Sequence, residues 1–518
     1  MKKGLFERIT FIIIGILWLY FSFFHCFDDD EFQHCHNAFL IWNGLTPYKD
    51  FFEHHIPLYH IFFSPLFISG SHYWTIFLFR IISLLCSFWT FSLIYRYLKK
   101  NYDSSVAVIS LILLAFVPMY LIKMTEARPE SIAVMFFTIA TMSIISENKN
   151  SFISGLFSGL MCCFSQKYFF PWIGLFGANI IITGRKNIKP FIAGSFIAFV
   201  PLVLYLFLKG IIPEFMNSTI IINFKWKYRF SPAGYLYEMF ITAGFLVACG
   251  ISGIIGEFFI EKNKKMALSL LCLLTGCFLG IFIVPVPYRQ IFLPVFIVTT
   301  IASGWTIHKI SGIIQQKKLE ILSGIILIFC AISSAITSIS KEFQQTNFSD
   351  INKMKKIDSI SPDTTFFDGR CLLYYRMHTG YYGFMHHELL QMLDPEKYAH
   401  HIIESLKKNN FPVVIYDYRV KEMPSQIQDF IQKHYCLASE PDIYLPGVNI
   451  DRSQLTGGKT DFDIFVSGWY RIYFRGENLL IDGTQVRDNT QIFLQTGNHI
   501  AETDGFVEQI TMILEGRK

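Results

Sequence analysis

The chain has 518 residues, of which 52% are hydrophobic and 17% aromatic, whereas only 16% carry a charge. This composition excludes a soluble single domain and indicates a polytopic membrane protein. The net charge of +5 is small for this length, and the basic residues form short clusters between apolar runs, which argues against nucleic-acid binding.

The first apolar run, residues 9–27, is long enough to cross a bilayer. No small-residue cleavage site follows it, so we interpret it as a retained span whose basic start, Met1-Lys2-Lys3, lies in the cytoplasm. Later apolar runs predict ten further spans, which makes eleven, near residues 73–98, 104–122, 131–146, 152–166, 168–183, 190–208, 235–260, 266–284, 290–307 and 321–340.

The charges of the loops support this count. The loops assigned to the cytoplasm are nearly all basic, as the positive-inside bias requires. The acidic loops fall on the opposite side, and the odd number of spans also places residues 341–518 there. We therefore predict a multi-pass membrane protein with a cytoplasmic N-terminus and an extracytoplasmic C-terminal region.

A cluster of four acids follows the first span, within a turn or two of the membrane surface: Asp28, Asp29, Asp30 and Glu31. Such positions usually carry Trp, Tyr, Lys or Arg. A carboxylate beside hydrocarbon has a raised pKa, and it is stabilised either by a nearby cation or by taking up a proton. The acids alone fit a solvated turn as well as a functional site, so the segment after them decides the interpretation.

That segment predicts an amphipathic helix and then a polar loop. Apolar residues recur at three- and four-residue steps over residues 31–42, which is typical of a helix lying on the bilayer. Asn43-Gly44 ends this helix. Residues 50–60 follow, crowded with Phe, His and Glu side chains, and present polar groups at the level of the lipid headgroups.

Three cations lie at predicted outer ends of spans: Arg128, Lys167 and Arg289. Each alone is more often an interface anchor than a functional residue. Together they are unexpected, because the positive-inside bias should deplete cations on this side. Lys167 is the strongest candidate, since Ser165, Gln166 and Tyr168 flank it in an otherwise apolar stretch.

The chain changes character after Ser340, where hydrophobicity drops. Two strands, residues 364–368 and 412–417, with a helix over residues 395–408 between them, predict an α/β module over residues 341–450. Residues 451–518 show short alternating strands that predict a small β-sandwich. Such a sandwich either binds carbohydrate or caps the membrane part. Most of the 11 cysteines are interpreted as packing residues, and only Cys371 and Cys436 are candidates for pairing.

Several motifs resemble those of a known family. Asp30-Glu31 and the stretch Gly44-Leu45-Thr46-Pro47-Tyr48-Lys49-Asp50-Phe51-Phe52-Glu53-His54-His55-Ile56-Pro57-Leu58 resemble the first outer loop of bacterial membrane glycosyltransferases of the GT-C fold. That group includes the protein O-mannosyltransferases and the lipid A aminoarabinose transferases. Ala127-Arg128-Pro129-Glu130 resembles the family's Arg-Pro-Asp/Glu element. Pro287-Tyr288-Arg289 is similar to its Pro-Arg-Tyr element with two residues transposed.

The resemblance covers residues 5–340 and implies a mainly α, polytopic fold with the C-terminal modules outside the membrane. The catalytic domain is then residues 1–340, with residues 28–72 as the first outer loop. It implies a hexosyl- or pentosyltransferase that uses a polyprenyl-phosphate-linked sugar as donor. The acceptor would be a glycan, a lipid or a protein on the outer face of the inner membrane, and the configuration at the anomeric carbon would invert.

Within this interpretation Asp30 is the candidate general base, because an acceptor hydroxyl must lose a proton. Glu31 would orient the acceptor or a cation, and Asp28 and Asp29 are the reserve candidates. The leaving group is a lipid phosphate, so cations at the headgroup level should stabilise its developing charge. The candidate substrate-binding residues are Lys49, Glu53, His54, His55, Arg128, Lys167, Tyr288 and Arg289.

The histidines near Glu53 also suggest a metal. His34 and His36 diverge on a helix, and adjacent His54 and His55 do not easily face one ion. We therefore expect orienting and hydrogen-bonding roles for His54 and His55, with a bound divalent cation as the alternative.

Two other functions compete with sugar transfer. A lipid-linked sugar transporter or flippase also has many spans with charges at their ends, but it predicts broken or ionisable span centres and symmetry between halves. A non-catalytic membrane scaffold that carries the C-terminal modules leaves the acidic first loop unexplained.

Overall fold

The computed structural model describes residues 3–226, 230–316, 335–362, 364–409, 411–438 and 441–517. The contacts within the chain divide it into two compact units. Unit 1 comprises Met1–His34, Glu53–Ile68 and Trp74–Phe348, and unit 2 comprises Cys35–Phe52, Ser69–Tyr73 and Ser349–Lys518.

Unit 1 is a bundle of apolar helices. Six helices among the described residues are long and apolar enough to cross a membrane, or seven spans form if the bent pair α5 and α6 counts as one. The helices that contribute to this unit are α1 (Lys3–Phe24), α2 (Asp29–Trp42, its first turns only), α3 (Leu58–Phe63), α4 (Thr75–Asn101), α5 (Ser104–Ala115), α6 (Pro118–Thr125), α7 (Pro129–Ile145), α8 (Ser151–Phe164), α9 (Phe169–Thr183), α10 (Ile188–Lys209), α11 (Ile212–Phe215), α12 (Ile222–Lys225), α13 (Ala233–Phe259), α14 (Lys264–Ile283), α15 (Leu293–Gln316) and α16 (residues 335–342).

Helices occupy the described parts of the predicted spans, but α7 and α8 are shorter apolar helices that are not among those six, and one predicted span is broken. The predicted span 104–122 is two helices, α5 and α6, bent by 78°. The break falls before Pro118, which begins α6 and forces Val117 into an extended conformation. The predicted last span, residues 321–340, lies mostly outside the described residues, so the count of eleven stays a prediction.

Close helix contacts rely on small residues. A Cβ added to Gly253 of α13 would lie 1.9 Å from the carbonyl oxygen of Ala302 in α15. One added to Gly155 of α8 would lie 1.9 Å from the carbonyl oxygen of Phe191 in α10. Both glycines let two backbones touch, which is how helices associate where apolar burial alone gives no driving force.

Unit 2 contains two sheets and a few short helices. Its helices are α17 (Phe348–Ile360), α18 (His387–Leu390), α19 (Pro395–Lys408) and α20 (Ser425–His434), together with the later turns of α2. Its strands are β1 (Phe366–Phe367), β2 (Val413–Ile415), β3 (Tyr435–Leu437), β4 (Ile443–Asp451), β5 (Lys459–Ile464), β6 (Gly468–Gly476), β7 (Leu479–Ile481), β8 (Thr484–Val486), β9 (Thr490–Leu494), β10 (Gly497–Glu502) and β11 (Val507–Arg517).

The larger sheet has the order β1-β2-β4-β11-β6-β9, with β3 also paired to β4, and the smaller has the order β5-β10-β7-β8. Only β1 and β2 pair in parallel among the described strands. Because β4 pairs with both β2 and β11, the two stretches 341–450 and 451–518 share one sheet. Cys371 and Cys436 are both free thiols.

Candidate active site

The acids at the start of α2 form a helix cap as well as a charged cluster. Asp28 precedes the helix, and its side chain accepts a hydrogen bond from the backbone N–H of Asp30 at 3.0 Å. The side chain of Glu31 accepts from the backbone N–H of Asp28 at 2.9 Å. This reciprocal pattern is close to a capping box, with the bond to Asp28 coming from the second rather than the third helical residue, so part of the acidic sequence has a structural role.

Glu31 is fully buried and fully engaged. Its carboxylate accepts from Nε of Arg80 in α4 at 2.7 Å and from the backbone N–H of Ala127 at 2.6 Å. A second bond from Arg80 makes the pair bidentate. Glu31 therefore fixes α2 against α4 and against the loop before α7, which is a positioning role.

Asp28 and Asp30 are different, because each keeps part of its carboxylate accessible. Their side chains are 30% and 26% exposed, whereas Arg128, which binds both, is 2% exposed. Arg128 donates to Asp28 at 2.9 Å and to Asp30 at 2.7 Å. The buried guanidinium of Arg128 thus joins two partly exposed carboxylates.

A second buried cation, Lys123, pairs with two acids of the cluster. Its ammonium lies 2.7 Å from Asp28 and 2.8 Å from Glu126. Burial would raise the pKa of Asp28, but the charges of Lys123 and Arg128 outweigh burial and lower it. Burial raises the pKa of Glu126, and Lys123 only partly offsets this shift. Asp28 is therefore held ionised, whereas Glu126 favours its protonated form.

Lys167 lies at the edge of this cluster and is held loosely. Its ammonium is 3.5 Å from Glu130, longer than a strong charge-assisted hydrogen bond, and its side chain is 18% exposed. With the Gln290 amide oxygen turned toward the cations, that oxygen accepts from Lys167 at 3.1 Å and from Arg128 at 3.0 Å. Lys167 can therefore exchange its partners for an incoming anion at small cost.

Arg289 and Tyr288 lie beside a different carboxylate. Arg289 is 32% exposed and is 3.1 Å from Glu238 and 3.9 Å from Glu342. The exposed Tyr288 packs its ring against Phe230 and Tyr235. The transposed motif thus still presents a partly exposed guanidinium in unit 1.

Glu53 is the centre of a buried histidine cluster in unit 1. One of its oxygens accepts from the backbone N–H groups of His54 and His55 and lies 2.7 Å from His55 Nδ1. His60 Nε2 is 3.8 Å from the other oxygen and 2.9 Å from His34 Nδ1. The ligand atoms of Glu53, His54 and His55 all lie within 4.8 Å of one another.

This donor set fits a divalent cation. Carboxylate oxygen and neutral imidazole nitrogen are the ligands of Zn²⁺. Burial lowers the pKa values of His54 and His55 to about 3, so both rings are neutral at physiological pH. The expectation that adjacent histidines diverge is therefore too strict for this loop, because here both rings reach Glu53.

Apart from Tyr288 and Arg289, most of the predicted site residues of unit 1 fall into two neighbouring groups. Asp28, Asp30, Arg128 and Lys167 are linked through ion pairs, the last through Glu130, and Glu31 joins them through its hydrogen bond from the backbone of Asp28. Glu53, His54 and His55 form the second group. The two groups are adjacent, because Gln166, next to Lys167, donates to the backbone carbonyl of His54 at 3.1 Å. Lys49 is an exposed residue of unit 2, after Tyr48, whose φ of 68° is left-handed.

Sequence reasoning missed four residues that hold these groups together: Arg80, Lys123, His60 and Gln290. A signal existed for the first two, because Arg80 and Lys123 are ionisable residues within apolar helical runs and such residues are rarely there without a role. His60 and Gln290 gave no signal, since their function depends on partners distant in the sequence.

The chain was compared with known proteins. Residues 57–209 match the family model described as dolichyl-phosphate-mannose-protein mannosyltransferase. The comparison with curated proteins returned no match.

Three solved structures are similar in fold. The crystal structure of ArnT from Cupriavidus metallidurans in the apo state superposes with a TM-score of 0.60 at 10% identity, over 86% of this chain and 98% of that chain. The same protein bound to undecaprenyl phosphate gives 0.57 at 11% identity, over the same shares of both chains. The Archaeoglobus fulgidus oligosaccharyltransferase in complex with Zn and sulfate gives 0.51 at 10% identity, over 98% of both chains.

The fold is therefore that of the GT-C membrane glycosyltransferases, and the resemblance inferred from the first outer loop is confirmed. The fold class is likewise confirmed, as a mostly helical multi-pass protein with a C-terminal β-sheet region.

Proposed function

We propose that the protein is a membrane glycosyltransferase that moves a sugar from a polyprenyl-phosphate donor to an acceptor hydroxyl, with Asp30 as the general base and with inversion at the anomeric carbon. The family match and the GT-C fold support glycosyl transfer. A lipid-linked donor is supported by the similar ArnT structure that holds undecaprenyl phosphate.

The observation that carries the proposal is the position of Asp30. It combines a partly exposed carboxylate with a fixed orientation, because the buried Arg128 and the first turn of α2 hold it. An ion-paired carboxylate is a weak base. It suffices here, because an acceptor hydroxyl becomes strongly acidic only as its oxygen bonds to the anomeric carbon.

In the reaction the acceptor oxygen attacks the anomeric carbon while the bond from that carbon to the phosphate oxygen breaks. Asp30 takes the hydroxyl proton, and the electron pair of the broken bond leaves with the lipid phosphate. Lys167 and Arg289 are the partly exposed cations that would stabilise the charge on that phosphate. Because attack is opposite to the leaving group, the configuration at carbon inverts.

Glu53, His54 and His55 would hold a divalent cation beside these groups. Such an ion supplies positive charge that orients a phosphate and neutralises it. The surrounding chain fixes the ligands: Gln166 and Asn223 both donate to the backbone carbonyl of His54, at 3.1 and 3.0 Å. Gln166 also precedes Lys167, so one turn of chain positions both the ligand loop and a phosphate-binding cation.

The test is transfer of labelled sugar from polyprenyl-phosphate donors by the purified full chain in lipid nanodiscs. Asp30→Asn should reduce transfer by about 10²–10⁴-fold, the usual contribution of a general base. It should leave donor binding and the thermal unfolding temperature unchanged, because an amide can still accept from Arg128.

A matched control is Asp461→Asn, which alters an exposed aspartate on β5 of unit 2. Full transfer by Asp30→Asn would refute its role as base. Export of intact lipid-linked sugar with no glycosidic bond formed would favour a transporter instead.

A further inference from the structure

The larger sheet of unit 2 has one buried face and one exposed face. Strands β4, β11, β6 and β9 pair antiparallel, so residues that lie directly opposite one another share a face. Ile472 of β6 and its partner Met512 of β11 are fully buried. The alternating residues Trp469, Arg471 and Tyr473 therefore lie on the other face, where their side chains are at least partly exposed. A row of two aromatic side chains with a polar one between them runs along this open surface.

Two exposed aromatic rings mark the ends of the row. Trp469 is 46% exposed and packs edge to face against Phe493 of β9, with ring centroids 5.5 Å apart. Tyr473 is 41% exposed and lies opposite Thr511 of β11, and it contacts no other ring among the described residues. Because a strand rises about 3.3 Å per residue, the two positions are about 13 Å apart. Packing between strands thus accounts for Trp469 but leaves the exposed ring of Tyr473 unexplained.

A hydrogen-bonded polar group lies between the two rings. Arg471 Nε donates to the carboxylate of Glu515 at 2.7 Å, and the amide of Gln491 donates to the other oxygen of that carboxylate at 2.6 Å. A terminal nitrogen of Arg471 also donates to the backbone and side-chain oxygens of Asn489, at 3.2 and 3.1 Å. Exposed ion pairs contribute little to stability, so the main effect of these bonds is to fix the orientation of three planar side chains.

This combination of groups fits an oligosaccharide. The C–H groups of a pyranose ring carry a slight positive charge, and they pack against the negative face of an aromatic ring. Sugar hydroxyls both donate and accept, and the guanidinium, carboxylate and amide between the rings supply donors and acceptors. Aromatic positions about 13 Å apart require a ligand that reaches both, which favours a chain of sugars over a single one.

The charges between the two rings are balanced, because Arg471 and Glu515 pair with each other. Beyond Tyr473 the strands add one exposed charge of each sign, Arg475 on β6 and Asp451 on β4. An anionic polysaccharide or a surface of anionic lipid instead requires an excess of basic side chains. The charge of this face therefore complements an uncharged ligand.

We propose that this face of unit 2 binds a neutral oligosaccharide. Its sugar rings pack on Trp469 and Tyr473. Its hydroxyl groups hydrogen-bond to Arg471, Glu515 and Gln491. The inference stands without the proposed transfer reaction, because every residue that it uses belongs to unit 2. It favours carbohydrate binding over a capping role for the C-terminal strands.

The test removes one ring and keeps the rest of the face. Tyr473→Ala deletes an exposed ring without a ring contact among the described residues, so the sheet should fold normally. Tyr473→Phe retains the ring and is the conservative variant. Tyr418→Ala is the matched control, since Tyr418 is also a tyrosine of unit 2, is 52% exposed and follows β2.

Binding is measured by saturation-transfer NMR on the full chain in nanodiscs, with cellohexaose, mannohexaose and chitohexaose as neutral probes and a galacturonate hexamer as the charged one. We expect saturable binding of a neutral probe that is weakened about tenfold or more in Tyr473→Ala, because the ring that packs on the sugar is lost. Tyr473→Phe and Tyr418→Ala should bind within about twofold of the unaltered chain. No sugar donor is added, so the outcome does not depend on whether the chain transfers sugar.

The proposal is overturned if no neutral probe binds, if Tyr473→Ala binds as well as the unaltered chain, or if only the galacturonate probe binds. Two other occupants of the face would also overturn it. A face that lies on the bilayer predicts that brominated lipid quenches the fluorescence of Trp469, taken as the difference between the unaltered chain and Trp469→Phe. A face that joins two copies of the chain predicts a dimer by light scattering that Tyr473→Ala converts to a monomer.

Discussion

His34 and His36 lie two residues apart on α2, yet they belong to different kinds of site. His34 lies in unit 1, hydrogen-bonded to His60 in the cluster around the carboxylate of Glu53. His36 lies in unit 2, in an aromatic cavity where its ring contacts Phe366 and His378. One helix therefore contributes to a charged cluster with its first turns and to a group of neutral imidazole rings with its later ones.

The two groups of residues suit different kinds of chemistry. The site of unit 1 collects carboxylates, a guanidinium and ammonium groups, which suits proton transfer and a phosphate leaving group. In unit 2, by contrast, the rings of His36 and His378 are neutral, because burial lowers the pKa of His36 to about 3 and that of His378 to about 4. Four predictions test this contrast, in order of expected effect.

The largest effect is expected from Arg80→Met. It leaves the carboxylate of Glu31 buried without its bidentate partner, and breaking one half of such a pair costs about 3–5 kcal/mol. Thermal unfolding of the full chain in detergent should report this loss. The double variant Arg80→Met with Glu31→Gln should recover much of it, because no unpaired charge remains. A single variant as stable as the unaltered chain would contradict a positioning role for Glu31.

The next effect is expected from Lys167→Met. If Lys167 stabilises the departing phosphate, kcat/KM for transfer should fall by about 10²–10³-fold, as when one charge-stabilising donor is removed. Stability should change little, because the ion pair with Glu130 is long. Lys100→Met is the control, since Lys100 pairs with Glu147 at an exposed position. Equal rates for the two variants would remove Lys167 from the site.

A third prediction concerns metal content, where the two histidine groups should differ. Glu53→Gln should remove zinc from the purified protein, as measured by elemental analysis, and lower transfer by about 10–100-fold. His36→Asn should leave the metal content unchanged, because the cavity around His36 has no metal-ligand group like that of Glu53 among the described residues. Zinc that survives Glu53→Gln would place the ion elsewhere.

The smallest effect concerns the carboxylates of the two units. Burial and the nearby Asp417 raise the pKa of Asp368 from 3.8 to about 8, whereas Asp28 in unit 1 is lowered by its cations. Between pH 4 and pH 8 the folded state holds a proton on Asp368 that the unfolded state releases, so this contribution to stability is full at low pH and is lost as the pH rises.

The unfolding temperature of the full chain should therefore fall by a few degrees between pH 6 and pH 9. Asp368→Asn should flatten this slope, and Asp461→Asn should not. A slope that Asp368→Asn leaves unchanged would mean that another group dominates the titration.

Local patterns predicted α2 and the first loop because their information is local. The three- and four-residue spacing sets the helix, and Asn43-Gly44 ends it with Gly44 at a φ of 87°. Helix α19 was predicted over residues 395–408, where the structure has it, for the same reason.

Pairing across the fold could not be predicted in that way. Nothing in the sequence near Glu31 points to Arg80, 49 residues later, and nothing near His36 points to Tyr374, 338 residues later. The acids do form a cluster, but their division into a cap, a buried anchor and a partly exposed carboxylate depends on these distant partners. Whether Asp30 performs the proposed chemistry stays a prediction.

The position of β11 has a consequence for biogenesis. This strand follows every other strand of the larger sheet in the chain, yet it lies between β4 and β6 at the centre of that sheet. During synthesis β4 and β6 are made before β11, so the edges that they present to β11 stay open until that strand follows. The larger sheet is therefore complete only after β11 has been translated, and a ribosome that stalls before Val507 leaves β4 and β6 each with one open edge for a chaperone or protease to recognise.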